Sequence, residues 1–291
     1  MNGMQPAVDR LAAMDASAVA RPDVQAWVLL GLRAAERPEA EAHASRLARF
    51  QMPDGSLPVR RETPQAHWPT GLAALAWTGL DADCRGRARR AADFLVGVTG
   101  KHFPKPDGLG HDTSIVGWSW ISETHSWVEP SALAMLAIDR AGVSPELHTE
   151  AGRRVDSAVA MILDRQIAGG GWNYGNTQVL GATLKPLPEE TAFALCGLHG
   201  HADAAAVADS VAYLRSELPL VRSPATLAWT LMALRLWGRP VDEERPVREC
   251  LAIQEAIGPY PPDMLAQLIV SVRRPSLVLG ETADPQDDGV R

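Results

Sequence analysis

The sequence predicts an all-α protein built as an (α/α)6 toroid, in which inner and outer helices alternate around one ring. Three observations lead to this fold class: a six-fold repeat of apolar helical segments, amphipathic segments between them, and links of unequal length. In each repeat a proline is followed four residues later by an alanine. The six prolines are Pro22, Pro69, Pro130, Pro188, Pro224 and Pro262.

These six segments are the predicted inner helices. A proline suits the first helical turn because its missing N–H would have no partner within the helix, and the alanine one turn later leaves room for a neighbouring helix. The segments are apolar nearly all round, which indicates burial on both sides. Five of them carry an acid or a hydroxyl directly after the proline, as helix N-termini favour, namely Asp23, Thr70, Ser131, Glu189 and Asp263.

The segments between them are the predicted outer helices, for example "EAEAHASRLARFQ" and "ADAAAVADSVAYLRSEL". Each has apolar residues on one stripe and charges on the other, so it is expected to cover the inner helices and face water. The last inner segment has no clear outer partner. The predicted organisation is an N-terminal extension at 1–20, one toroid domain at 21–275 and a disordered tail at 276–291.

The links that lead from an outer to an inner helix are long in the first half of the chain, at roughly 52–68, 101–128 and 168–187. In an alternating toroid all such links emerge at one end, beside the N-termini of the inner helices. Long ordered loops on a rigid scaffold are where function usually lies. We therefore expect the functional site at this mouth.

Composition and charge exclude several classes of protein. The chain has 291 residues and a net charge of −7, which argues against binding to a nucleic-acid backbone. It has no signal-peptide pattern, no apolar run long enough to span a bilayer, and three widely spaced cysteines. We expect a soluble, cytoplasmic protein with no nucleic-acid partner, no metal and no cofactor, while a transient contact with a membrane surface stays open.

One motif connects the chain to a known superfamily. The segment "LDRQIAGGGWNYG" holds Gln166, Gly170 and Trp172 in the spacing Q-x-x-x-G-x-W, and "RFQMPDGSLP" is a degenerate copy without the tryptophan. This spacing resembles the QW repeat of squalene–hopene cyclases and related terpenoid cyclases, and the inner-helix starts are similar to those of the same superfamily, which includes protein prenyltransferase β-subunits. The resemblance covers most of residues 20–272. It implies a single α/α toroid, in which the glutamine caps the outer helix, the glycine turns the chain and the indole packs on the next repeat.

The chain departs from that superfamily in two signatures. Squalene–hopene cyclases protonate an alkene with a D-x-D-D motif, and prenyltransferase β-subunits hold zinc with a D-x-C element, but neither motif occurs here. The nearest string, "DADC" at 81–84, lies on a short link, at the end opposite the long links. The resemblance therefore predicts the fold and leaves both the chemistry and catalysis itself open.

Glu129 and Glu190 are the predicted acids, because each stands at the start of an inner helix and could point into the lumen. Desolvation against indole rings would raise the pKa of a carboxyl and keep its proton available. His125 precedes Glu129 by four residues and would meet it if that turn is helical, and Asp112 is the second predicted orienting residue. Both glutamates also fit ordinary acids at helix N-termini.

The stretch "WSWISETHSWVEP" at 118–130 and the segment that begins at Trp172 supply the predicted ligand-binding residues. Aromatic rings at a mouth would line an apolar site or stabilise a cation. Trp118 and Trp120 would share one side of an extended segment, which also fits a hydrophobic plug under a long loop, and Trp172 also fits a structural role. The predicted residues are Trp118, Trp120, Glu123, Trp127, Trp172 and Tyr174.

Three classes of function stay open. An isoprenoid-binding or isoprenoid-transforming protein needs a deep apolar pocket. A carbohydrate-active (α/α)6 enzyme needs two carboxyl groups ~5–9 Å apart across an open cleft. A non-catalytic toroid would bind a protein partner with its loop-rich mouth. The resemblance favours an isoprenoid or another apolar small molecule.

Overall fold

The computed structural model describes residues 2–179 and 181–281, which are mostly helical, so the predicted all-α class is confirmed. None of the described helices is both long and apolar enough to cross a bilayer. Two strands of two residues each, β1 (Gln178–Val179) and β2 (Ala182–Thr183), form an antiparallel pair in which Gln178 lies opposite Thr183 and Val179 opposite Ala182. The α-helices are α1 (Gln5–Ala12), α2 (Pro22–Ala34), α3 (Ala40–Ala48), α4 (Pro69–Trp77), α5 (Ala82–Gly97), α6 (Val128–Ala141), α7 (His148–Asp164), α8 (Pro188–Leu198), α9 (Ala204–Glu217), α10 (Pro224–Leu236), α11 (Glu244–Ala252), α12 (Gln254–Ile257), α13 (Pro262–Arg273) and α14 (Ser276–Leu279).

Helices α2, α4, α6, α8, α10 and α13 correspond to the six predicted inner segments, and we call them the central helices. Five begin at their proline, whereas α6 begins two residues before Pro130. Close approach is clear at Gly31 in α2, where an added Cβ would lie 2.9 Å from the Cβ of Ala266 in α13. The repeat alanines are at most 2% exposed, namely Ala26, Ala73, Ala134, Ala192, Ala228 and Ala266.

The central helices pack in chain order, α2 on α4, α4 on α6, α6 on α8, α8 on α10 and α10 on α13, and α13 also packs on α2. Their contacts join like ends. Thr226 at the start of α10 donates to Glu189 at the start of α8 (2.6 Å), and Arg33 at the end of α2 donates to the carbonyl of Ala76 at the end of α4 (2.7 Å). The neighbours in these two pairs therefore run parallel.

The predicted outer segments also form helices, and each packs on a central helix: α3 on α2, α5 on α4 and α6, α7 on α6, α9 on α8, and α11 on α10. Helix α1, which falls within the predicted extension at 1–20, packs on α13 and α2. Its Val8 and Leu11 are buried in the core. It therefore covers the last central helix, for which the sequence offered no clear partner.

Helix α14 falls within the predicted disordered tail at 276–291, yet its one turn contacts α4 and α6. Arg140, near the end of α6, donates to the carbonyl of Ser276 (3.2 Å), and Val278 is fully buried. The rest of that predicted tail, at 282–291, lies outside the described residues.

The links before α4, α6 and α8 are each hydrogen-bonded in the same way to the central helix that follows. Two of them are also hydrogen-bonded to the outer helix that precedes them. The indole N–H of Trp118 donates to the carbonyl of Leu95 near the end of α5 (2.8 Å), and that of Trp172 donates to Ile162 near the end of α7 (2.7 Å). Trp118 therefore occupies in its link the position that Trp172 occupies in the next. The backbone N–H groups of Leu57, Trp118 and Trp172 donate to the hydroxyls of Thr70 (2.9 Å), Ser131 (2.9 Å) and Thr191 (3.0 Å).

The glutamine of the motif acts differently from what the resemblance implies, whereas Gly170 turns the chain as implied, with φ of 99°. The side-chain amide of Gln166 does not cap its own helix but donates to Ser210 in α9 (2.7 Å), and Gln51 donates in the same way to the carbonyl of Arg87 in α5 (3.0 Å). A Cβ on Gly170 would lie 2.6 Å from the backbone of α9. The glutamine and the glycine thus join the end of one outer helix to the next outer helix. The indole of Trp172 is instead bonded to α7, the outer helix that it follows.

Candidate functional site

The links before α6 and α8 lie side by side. The N–H of Val128, at the start of α6, donates to the carbonyl of Tyr174 in the other link (3.1 Å). Between the two links lies a cavity of about 660 Å³, which we call the aromatic cleft. Its walls are formed by Trp120, Ile121, Thr124, Trp127, Asn173, Tyr174, Asn176, Leu184, Lys185 and Leu187.

Three of the predicted ligand-binding residues lie on these walls. Trp120 packs edge to face on Trp68, with ring centroids 5.2 Å apart, and Trp127 is half-buried. Tyr174 and Ile121 are 58% and 42% exposed. Large apolar side chains with this exposure form a concave surface that a ligand can reach from solvent.

The other three predicted ligand-binding residues lie away from the cleft. Trp118 and Trp172 are at most 1% exposed. Both indole N–H groups donate to backbone carbonyls of the preceding outer helix, a contact that we call a joint. Glu123 is exposed and holds a left-handed backbone conformation, with φ of 63°. The tryptophan-rich stretch therefore divides between a structural joint at Trp118 and a cleft wall at Trp120 and Trp127.

Glu129 and Glu190 lie in the first turns of α6 and α8. Each helix is preceded by a residue of the cleft wall, Trp127 or Leu187. Glu190 is 3% exposed, and within the described part of the chain its Oε2 makes no hydrogen bond. Neither glutamate is among the residues that line the cleft, although each follows a wall residue closely in the chain.

Burial sets the protonation of this carboxyl pair. It raises the pKa of Glu190 to about 7, with a smaller contribution from the charge of Glu189. Burial also raises the pKa of Glu129 well above its usual value, and the charges of Glu190 and Glu189 act in the same direction. An ordinary acid at a helix N-terminus is ionised at neutral pH. Both carboxyls therefore hold their protons to a higher pH than an ordinary acid at a helix N-terminus does.

The two predicted orienting residues do not join this pair. Since α6 begins at Val128, His125 precedes the helix, and the expected pairing with Glu129 across one helical turn is wrong. The ring of His125 packs instead against Phe103, with centroids 5.2 Å apart. Asp112 accepts hydrogen bonds from the N–H and hydroxyl of Ser114 (2.8 and 2.7 Å), which lower its pKa and close a turn of the loop.

A second cavity, of about 350 Å³, lies beside the cleft and shares Trp127 and Asn176 with it. We call it the basic cavity. This cavity was not predicted from the sequence, because Arg165 lies at the end of an outer helix and outside the long links where the site was expected. The histidines and lysines that cluster at 101–125 were a usable signal. Its other lining residues are Lys101, His102, Phe103, Pro106, Leu109, His111, Thr113, His125, Ser126 and Arg165.

Aromatic rings also meet among the central helices. Trp229 in α10 lies edge to face with Trp27 in α2, with centroids 6.0 Å apart, and 4.1 Å from the ring of Phe193 in α8. Its indole N–H donates to Gln267 in α13 (3.1 Å). At this level the interior is therefore occupied by side chains.

Metal ligands and relatives complete the description of the site. In the part of the chain that the structure covers, no three His, Cys, Asp or Glu side chains are placed to hold a metal ion, and the three cysteines are free and buried. No protein-family model matches the chain, and no curated protein matches it either. Any relationship to terpenoid cyclases therefore depends on the motif and the six-fold repeat.

Proposed function

We propose that the chain is an (α/α)6 toroid, a single-toroid relative of terpenoid cyclases and prenyltransferase β-subunits, which binds an isoprenoid-type apolar ligand in the aromatic cleft. The cyclic order of contacts among the central helices supports the toroid, since α13 packs both on α10 and on α2. The three reduced cysteines agree with a cytoplasmic location.

The aromatic cleft carries this proposal. Its volume of about 660 Å³ lies within the range of small-molecule sites. Its walls are mostly apolar, and its polar groups (Asn173, Asn176, Lys185 and Thr124) are few. Burying an apolar chain there gains about 0.8 kcal/mol for each CH₂ group removed from water. An extended hydrocarbon ligand therefore fits the cleft better than a polar one.

The carboxyl pair supports an apolar ligand in a second way. Because burial raises the pKa of both Glu129 and Glu190, each carboxyl carries less negative charge near neutral pH than an exposed glutamate would, and such weakly charged surroundings suit an apolar ligand. Glu129 and Glu190 are also the residues that we propose as proton donors if the ligand reacts. A carboxyl whose pKa is raised is a weaker acid than usual, so the geometry supports binding more directly than it supports alkene protonation.

Thermal unfolding in the presence of candidate ligands tests the proposal. Farnesol and geranylgeraniol are expected to raise the Tm by several degrees, because a ligand at a hundredfold excess over its Kd stabilises the native state by about 2.7 kcal/mol. A maltooligosaccharide is expected to leave the Tm unchanged.

Matched alanine variants assign the effect to the cleft. Ile121→Ala and Tyr174→Ala are expected to reduce the Tm shift, whereas Ile257→Ala, which removes a 68% exposed isoleucine elsewhere, should keep it. A shift with the oligosaccharide alone would favour a carbohydrate site. The absence of any shift in the wild type would favour a protein partner at this mouth.

A further inference from the structure

The basic cavity concentrates positive charge in a chain whose net charge is negative. Two of its lining side chains, Lys101 and Arg165, are cationic, and none of its lining residues is an acid. Three further lining residues are histidines, which can donate hydrogen bonds in either protonation state: His102, His111 and His125.

Arg165 is the most unusual member of this group because it is only 4% exposed. It donates to the carbonyl of Ser126, but within the described residues its Nε makes no hydrogen bond. Burial lowers its pKa to about 10, and Asp164 offsets this only in part. A buried guanidinium with an unused donor is costly unless an acceptor binds to it.

His111, which also lines the cavity, repeats this pattern. It is 4% exposed, and its Nδ1 has no hydrogen-bond partner in the part of the chain that is described. Burial lowers its pKa, and the positive charge of Arg165 lowers it further. Arg165 and His111 thus line the same cavity, and each carries one buried nitrogen atom with no hydrogen-bond partner in the described residues.

The carboxylates that adjoin Arg165 and His111 in the chain, Asp164 and Asp112, are engaged in other hydrogen bonds. Asp164 accepts the backbone N–H of Asp112 (2.6 Å), and Asp112 is engaged with Ser114. Neither is among the residues that line the basic cavity. The cavity therefore offers donors and positive charge, while its own walls supply no anion to meet them.

We infer that the basic cavity is a binding site for an oxyanion, the phosphate or carboxylate group of a small molecule. Arg165 and His111 hold the anion from the buried side, and Lys101, His125 and Asn176 contact it from the rim. Charge-assisted hydrogen bonds from arginine are the strong recognition element for such groups. The inference is independent of the ligand proposed for the aromatic cleft.

Isothermal titration calorimetry with inorganic phosphate, pyrophosphate and acetate tests the inference, at pH 6.5 and low ionic strength. At least one of these anions is expected to bind in a saturable manner with one site per chain. The affinity should fall as NaCl is raised, because ions screen partly exposed charges. A preference for the phosphates over acetate, or the reverse, identifies the source of the oxyanion. All three anions lack an apolar chain, so their binding succeeds or fails regardless of the aromatic cleft.

Rim variants keep the test independent of folding, since Arg165 also supports the backbone at Ser126. Lys101→Gln is expected to weaken anion binding about tenfold, in line with the loss of one charge-assisted bond, and His125→Gln should weaken it less. His148→Gln removes an equally exposed histidine from α7 and serves as the matched control. The absence of saturable binding to the wild type would overturn the inference. Unchanged affinity in both rim variants would overturn it as well.

Discussion

The two ends of the central helices treat their charged groups in opposite ways. At the C-terminal end of α2, the guanidinium of Arg33 binds the carbonyls of Ala76 and Thr78 (2.7 and 2.8 Å), which helix ends leave without partners. At the N-terminal ends of α6 and α8, Glu129 and Glu190 are desolvated, and the Oε2 of Glu190 makes no hydrogen bond in the described part of the chain. Both ends bury charged groups, and burial lowers the pKa of Arg33 to about 10. The guanidinium of Arg33 nevertheless has two partners, whereas the Oε2 of Glu190 has none in the described residues, a feature that is common in binding sites.

Removing the guanidinium at the stabilising end should have the largest effect. Arg33→Ala is expected to lower the free energy of unfolding by about 3 kcal/mol, because two charge-assisted bonds are lost and the carbonyls of the buried Ala76 and the half-buried Thr78 are left without partners. Urea unfolding measures the change. The control Arg89→Ala, at an exposed position on α5, should stay within about 0.5 kcal/mol of the wild type. Equal losses in the two variants would remove the proposed difference between the ends.

A change at the opposite end should stabilise the protein. The pKa of Glu190 is about 7 in the folded state and about 4.5 when unfolded, so the folded state binds the proton more tightly and the free energy of unfolding falls as pH rises through that window. Glu190→Gln removes this cost, and at pH 8 it should be about 2–3 kcal/mol more stable than the wild type. At pH 4 the two should be nearly equal. A destabilised variant at pH 8 would mean that the ionised carboxylate has a stabilising partner.

The smallest effect is expected for a partly exposed hydrogen-bonded pair near the C-terminal ends of α6 and α8. His201 contacts Asp139 near the end of α6 (2.7 Å), and this hydrogen bond raises the pKa of the histidine. The pair therefore stabilises the fold below pH 6.5, and this contribution is lost as pH rises through the higher folded pKa. Asp139→Asn should cost less than about 1 kcal/mol at pH 5.5 and nothing at pH 8.5. Denaturation curves at the two pH values measure it, and a loss that persists at pH 8.5 would point to packing instead.

Much of the fold follows from the sequence because its repeat has a direct physical meaning. The proline and alanine pattern located every central helix, since a proline is favoured at a helix start and a buried alanine allows close packing. Helix α1 was missed because its eight residues carry too short an apolar stripe to distinguish a covering helix from an extension. Its role depends on α13, which lies far away in the chain.

The site was only partly predictable for a related reason. Trp118 and Trp120 stand two residues apart, yet the first lies in a joint and the second on the cleft wall. The joint at Trp118 has no glutamine before it, so the motif that marks Trp172 gave no signal there. Arg165 was overlooked because residue spacing reveals neither its burial nor its place beside a cavity. Burial decides these cases, and it depends on contacts between distant segments.

The packing of α1 on α13 has a consequence for folding. Arg10 in α1 donates to the carbonyl of Tyr260 (2.8 Å), which lies 250 residues later in the chain, so α1 is covered only once the last central helix is in place. Until then, the apolar faces of α1 and α2 remain exposed. Contacts of such long range slow folding and leave intermediates prone to aggregation. The packing of α1 and α2 should therefore become stable only after α13 has docked on them.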